Sequence, residues 1–183
     1  MIYTSEELKN KLGSFNKIES AVKNKQYYRI SYGLYSDKTP FLSELENIFA
    51  RYPNTILTLE SAYAFYELSD YVPSKYVIAS SQKAHKININ KVKQIYLTKD
   101  LLDIGKVVIT TKYGTINIYD KERLLIELFR LKSKLSYPYF KEVINSYRNL
   151  YKETNIDTNK LNKYCSYFKN GESLRRQIEN IIT

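Results

Sequence analysis

Few side chains in this sequence have both the type and the spacing for bond-making chemistry. There is one histidine, His85, and one cysteine, Cys165. They are too few to build a zinc site, and a single cysteine excludes an intramolecular disulfide framework. His85 stands in Ala84-His85-Lys86, with no carboxylate close in sequence to orient it as a general base. Cys165, between Tyr164 and Phe168, has the setting of a core thiol. The only Glu-x-Lys, Glu7-Leu8-Lys9, lies in a helical pattern rather than on the strands of a restriction-type metal site. Gly13-Ser14 precedes a helix as in nucleotidyltransferases, but the strand carboxylates that must hold two Mg²⁺ do not follow. Five glycines supply no phosphate-cradling loop. The expectation is a protein that is not an enzyme and uses no metal or cofactor.

Binding chemistry is better represented. The 183 residues carry 29 Lys+Arg against 19 Asp+Glu, a net charge of +10, which favours polyanionic partners. Abundant Lys, Asn, Ile and Tyr is also what an AT-rich genome encodes, so location decides more than total. Residues 1–38 carry +3, 39–134 carry +4 and 135–183 carry +3, so the charge is not a tail. Tyr71 to Lys99 contains six lysines and His85 without one acid. Its Lys83, Lys86, Lys91 and Lys93 are candidates for a phosphate-contacting surface. The alternative is a set of solvated edge-strand lysines that discourage aggregation.

The elements that position these groups follow from pattern. Thr4 or Ser5 caps a first helix with Glu6 and Glu7 in its first turn and Gly13 at its end. Ser14 caps a second, with Phe15, Ile18, Ala21 and Val22 on the inner face. Its outer face carries Asn16, Lys17, Ser20, Lys23 and Asn24. Tyr27–Asp37 then suits a hairpin turning at Ser31-Tyr32-Gly33. This order has the form of a winged helix-turn-helix whose second helix reads DNA. Ser14, Asn16, Lys17, Ser20 and Asn24 are candidates for base edges or phosphates, Lys23 for phosphate, and Arg29 and Tyr32 for the wing. No arginine lies on the second helix, so the commonest guanine contact is missing there and an AT-rich or shape-read operator is expected.

Asp37-Lys38-Thr39-Pro40 marks a boundary, giving expected domains 1–38 and 39–183. Helices are expected from Ser43 to Tyr52 and after Thr58, the latter apolar almost all round. Strands follow at 76–79, 92–97, 107–111 and 116–119, the last two flanking a turn at Lys112-Tyr113-Gly114-Thr115. Helical patterns then run from Asp120 to the end. The expected class is α+β: a winged helix-turn-helix, then a domain with a small antiparallel sheet and a C-terminal helical layer.

The order from the Thr-Ser-x-x-Leu helix to Gly33-Leu34-Tyr35 resembles the N-terminal winged domain of AbiEi-family antitoxins. So do Ile48-Phe49-Ala50-Arg51-Tyr52-Pro53, Leu57–Ala62, Leu68–Pro73, Lys106–Lys112, Tyr119–Arg123 and Lys141–Tyr147 with that family's following domain. The resemblance spans nearly the whole chain. It implies a type IV antitoxin of an abortive phage-infection system that represses its own operon by binding inverted repeats in double-stranded DNA. The functional partner it implies is a nucleotidyltransferase-like toxin, neutralised without a stable complex. A monomer in solution, two copies on DNA and a cytoplasmic, membrane-free location complete the expectation. The start Met1–Glu7 lacks the pattern of a signal peptide. A winged regulator without antitoxin activity, or an interaction protein that binds no DNA, are the alternatives.

Overall fold

The computed structural model describes residues 1–37, 44–110 and 114–182, without the side chains of Ile30 and Ser31. The chain is α+β. It divides into two compact units, Met1–Asn54 with Val108–Asn117, and Thr55–Val107 with Ile118–Thr183. Lys38–Pro40, where the sequence places a boundary, and the Ser43 cap lie outside the described residues.

The first unit begins with a strand that periodicity does not reveal, β1 (Ile2–Thr4). Helices α1 (Ser5–Leu12) and α2 (Phe15–Lys23) follow, then β2 (Tyr28–Ser31), β3 (Leu34–Ser36) and α3 (Glu44–Arg51). β3 is central, antiparallel to both β1 and β2. β1 is too short to show a strand period, and its pairing with residues 34–36 is a tertiary fact. Leu8, Ile18, Ala21 and Leu34 form the core under the two helices. Thr4 completes a capping box: its hydroxyl accepts from the Glu7 N–H while Glu7 Oε2 accepts from the Thr4 N–H at 2.7 Å. Gly13 closes α1 at φ +96°, a conformation glycine adopts without a steric cost.

The second unit contains β4 (Ile56–Leu57), α4 (Leu59–Phe65), β5 (Tyr76–Ser81), β6 (Val92–Leu97) and α5 (Lys99–Leu102). Farther on lie α6 (Lys121–Arg130), α7 (Tyr137–Lys152), α8 (Thr158–Cys165) and α9 (Gly171–Ile182), while β7 (Lys106–Thr110) and β8 (Thr115–Tyr119) belong to this unit only outside Val108–Asn117. The sheet order is β6-β5-β4-β8-β7. The expected small antiparallel sheet is corrected here: the sheet is mixed. β4 runs antiparallel to β5 but parallel to β8, and β5 runs parallel to β6. Parallel neighbours usually take a helical crossover of a dozen or more residues. Here the connection 82–91 is non-helical and returns along the sheet, a path that strand-length patterns do not distinguish from a hairpin. The expected turn at Lys112 and Tyr113 lies outside the described residues.

Helix α6 is the core of this unit, with Leu124, Leu125, Ile126 and Leu128 wholly buried. Asp120 caps it by accepting from the Arg123 N–H, as its sequence position suggests. Three buried tyrosines each donate their hydroxyl to a backbone carbonyl: Tyr63 to Leu124, Tyr119 to Leu102 and Tyr147 to Lys121. These bonds remove the cost of burying a phenol and couple α4, α5 and α7 to the strand–helix corner. The sequence pattern ends one helix at Gly171 and opens the next at Glu172 or Ser173. In the structure Gly171 itself begins α9, and a Cβ there would lie 2.0 Å from the Cys165 carbonyl oxygen, so the position has room only for glycine. Among the described residues no helix is long and apolar enough to cross a membrane.

Candidate nucleic-acid interface

In the first unit, α2 turns its inner residues Ile18 and Ala21 to the core. Asn16, Ser20, Lys23 and Asn24 recur at i, i+4, i+7 and i+8, and with Lys17 they form one exposed arc. Ser14, the N-cap, is half-buried and accepts from the Lys17 N–H at 3.4 Å, so its hydroxyl serves the helix end. The Ser20 hydroxyl donates back to the Asn16 carbonyl at 3.0 Å and keeps its lone pairs for an incoming donor. Phe15, expected inward, is 54% exposed, with the Lys9 ammonium 4.9 Å from its ring centroid. It occupies the first helical position, where the side chain clears the helix pair.

Lys11, another base of this unit, is already engaged. Lys11 donates to the Tyr3 hydroxyl at 3.0 Å and sits over the Tyr3 and Tyr27 rings. Hydrogen bonding to those two tyrosines raises its pKa above the ordinary lysine value. Counting lysines along the chain does not separate Lys11 from Lys17 or Lys23; the ring contacts do.

The β2–β3 ribbon ends in Tyr32 and Gly33, the glycine at φ +76°. The Ser5 N–H donates to the Gly33 carbonyl at 2.9 Å, tying the tip to the start of α1. Pairing is irregular between Arg29 and Ser31, which oppose Tyr35 and Leu34. Tyr32 stands 94% exposed, and the Arg29 guanidinium lies 5.6 Å from its ring centroid. Arginine and tyrosine thus share one outward tip.

The second basic stretch is divided by the parallel pairing of β5 and β6. Tyr76 N–H donates to the Lys91 carbonyl, so Lys75 and Lys91 meet at the strand starts, with Lys93 beside them. Lys83 follows the far end of β5, where Gln82 N–H donates to the Leu97 carbonyl. Six strand residues at ~3.3 Å each put roughly 20 Å between these ends. Lys86 and His85 lie between them on the crossover. Gln94 holds that crossover by accepting from the Ile87 N–H at 2.8 Å and donating to Ser80 Oγ and the His85 carbonyl. The four lysines are exposed, and Lys93 faces Glu60 at 3.9 Å. They line a strip rather than one cluster. Cys165 is buried, and burial pushes its thiol up to about 11.

No protein-family model matches the chain, and no curated protein matches it in sequence.

Proposed function

We propose that the first unit is a winged helix-turn-helix that binds double-stranded operator DNA. On this reading the whole chain is an AbiEi-type antitoxin and repressor of its own operon. One observation carries the DNA-binding part. α2 exposes Asn16, Lys17, Ser20, Lys23 and Asn24 on one arc, while the same unit projects Arg29 and Tyr32 from a ribbon tip tethered to α1. The order strand, helix, Gly turn, helix, ribbon, with the leading strand paired to the ribbon, also supports it. α2 enters a major groove, Lys17 and Lys23 contact phosphates, and Tyr32 with Arg29 reaches the adjacent backbone or minor groove. Two copies occupy an inverted repeat. The antitoxin part rests on the family resemblance of residues 48–147. It makes a nucleotidyltransferase-like toxin the functional partner, without a stable complex.

Gel shifts with the native promoter at rising salt test the DNA reading. The triple variant Lys17→Ala/Lys23→Ala/Arg29→Ala should reduce the salt slope by about 0.9 per lost phosphate contact, roughly 2.7 in all. Asn16→Ala should lower sequence preference and leave the slope in place. An unchanged slope and preference removes α2 from the interface. Co-expression of the full chain with the neighbouring toxin gene product tests the second half. Asn16→Ala/Lys17→Ala should still restore growth while losing repression. Absence of any rescue by the wild-type chain reduces the protein to a DNA-binding regulator.

A further inference from the structure

The acid-free stretch Tyr71–Lys99 faces a carboxylate that another element supplies. Glu60, the second residue of α4, points toward β5 and β6. Its Oε1 lies 3.9 Å from the Lys93 ammonium. Its Oε2 is buried and accepts no hydrogen bond from any described residue. A buried carboxylate oxygen left without a donor costs free energy comparable to a lost charge-assisted hydrogen bond, so a group that supplies donors is favoured there.

Glu60 opens into a small cleft of about 140 Å³, floored by Val77 and walled by Tyr71, Pro73, Lys75 and Lys93. At ~30 Å³ per water this is space for about five waters, or for the edge of one planar ring. Tyr71 is 51% exposed and braced from behind. Its ring packs edge-on against Tyr139 at 5.6 Å, and Tyr139 in turn leans on Tyr63 at 6.4 Å. The backbone that carries it is held too: Tyr71 N–H donates to Ser69 Oγ at 3.0 Å, and Asp70 N–H to Glu142 Oε1 at 2.7 Å. A half-exposed aromatic ring on a fixed segment, an acceptor at the bottom and two ammonium groups on the walls are complementary to a flat group that offers donors and carries phosphate.

We infer that this cleft binds the Watson–Crick edge of an unpaired guanine nucleotide, with Glu60 as the base acceptor, Tyr71 as the ring platform, and Lys75 and Lys93 on the phosphates. An ionised carboxylate only accepts hydrogen bonds. Guanine presents two adjacent donors, N1–H and the N2 amino group, to its two oxygens once the carboxylate turns to bring Oε2 out of its donor-free position into the cleft. Adenine, cytosine and uracil each set an acceptor beside their donor, which faces a carboxylate oxygen with a lone pair. Duplex DNA hides this edge, so the site takes single-stranded RNA, single-stranded DNA or a free nucleotide. It lies wholly in the second unit and does not depend on operator binding by the first.

The experiment is fluorescence anisotropy of the full chain with octauridylate carrying one central guanine, adenine or inosine. The guanine octamer should bind roughly ten-fold tighter than the adenine one, within the range of a bidentate base contact, with inosine between because it lacks the N2 amine. Glu60→Gln should abolish that preference and retain the salt-dependent binding of plain octauridylate. Lys75→Ala and Lys93→Ala should weaken all octamers alike. Tyr71→Ala should weaken them, and Tyr71→Phe should not. The deoxy octamers and guanosine monophosphate, run as competitors, identify which source the site prefers. Equal affinity for the guanine and adenine octamers overturns the inference, as does a guanine preference that survives in Glu60→Gln with an unchanged melting temperature. Asn16→Ala/Lys17→Ala, which disables the operator reading, should leave the guanine preference intact.

Discussion

Arg123 is fully buried at the start of α6, so its charge must be neutralised inside the protein. Its Nε donates to Glu127 Oε1 at 2.9 Å, and its Nη1 to the carbonyls of Leu101 and Ile104 at 2.8 and 3.0 Å. Nη2 lies 2.8 Å from the same carboxylate oxygen but is not aligned to donate to it. The guanidinium stacks between Tyr119 at 4.6 Å and Phe168 at 5.0 Å. Glu127, itself buried, also accepts from Arg130 at 2.6 Å. Replacing Glu127 by Gln keeps the volume and removes the carboxylate that faces the Arg123 guanidinium. Breaking a buried pair this way costs about 3–5 kcal/mol. The lower end applies, because two carbonyls and two ring faces still solvate the cation; about 3 kcal/mol is the expected loss. With a urea m-value of roughly 2 kcal/mol per molar for a chain of this size, the midpoint should fall by about 1.5 M. Arg123→Met strands the Leu101 and Ile104 carbonyls and should cost a similar amount. The double variant should cost at least ~1.5 kcal/mol less than the sum, since each single change leaves a charge that the other removes. Urea unfolding followed by circular dichroism measures all three. A Glu127→Gln loss below about 1 kcal/mol, or strict additivity, would refute the picture of a desolvated pair.

Two further outcomes follow from the packing. Gly171→Ala places a methyl group 2.0 Å from the Cys165 carbonyl oxygen, so the start of α9 must shift. A loss of about 2 kcal/mol and a melting temperature lower by roughly 4–8 °C are expected by calorimetry, and an unchanged melting curve contradicts the close approach. Burial raises the phenols of Tyr63, Tyr119 and Tyr147 above their ordinary value, and pushes Tyr66 and Tyr164 up to about 12. The folded chain therefore keeps protons that the unfolded chain releases above pH ~10, so stability is level below that pH and falls as pH rises toward 12. Absorbance at 295 nm should show Tyr63, Tyr119 and Tyr147 ionising only with unfolding; their ionisation in a chain that is still folded would contradict this.

Local signals were legible where one short segment decides the outcome. The caps at Ser14 and Asp120, the choice between Thr4 and Ser5, the left-handed Gly13 and the ribbon turn at Ser31-Tyr32-Gly33 are decided within four residues; the structure caps at Thr4, Ser14 and Asp120 and holds Gly13 and Gly33 at positive φ. The outer face of α2 follows equally from a 3.6-residue period. Thr58 marks the start of α4 as its type suggests, yet its hydroxyl makes no capping bond, and Leu59 takes a positive φ of 49°. Phe15 fits the apolar stripe of α2 and nevertheless faces solvent, because periodicity records which residues could be inside and not which neighbours arrive to cover them.

The sequence by itself determined the α+β class, the starts of α1, α2, α4 and α6 and the outward set Asn16, Lys17, Ser20, Lys23 and Asn24, because propensity, capping and period are properties of contiguous residues. Tertiary structure alone decided what depends on partners distant in the chain. β1 pairs with β3 across thirty or more residues, and β5 and β6 run parallel. Lys11 is spent on Tyr3 and Tyr27, and the lysines of 75–93 form a strip instead of a cluster. Glu60 illustrates the difference most directly. Its own neighbours in sequence say nothing about the proposed base-binding cleft, since strand pairing brings Lys75 and Lys93 there and packing on Tyr139 holds Tyr71. That pairing is set by hydrogen bonds and burial summed over the whole unit, which no local window contains.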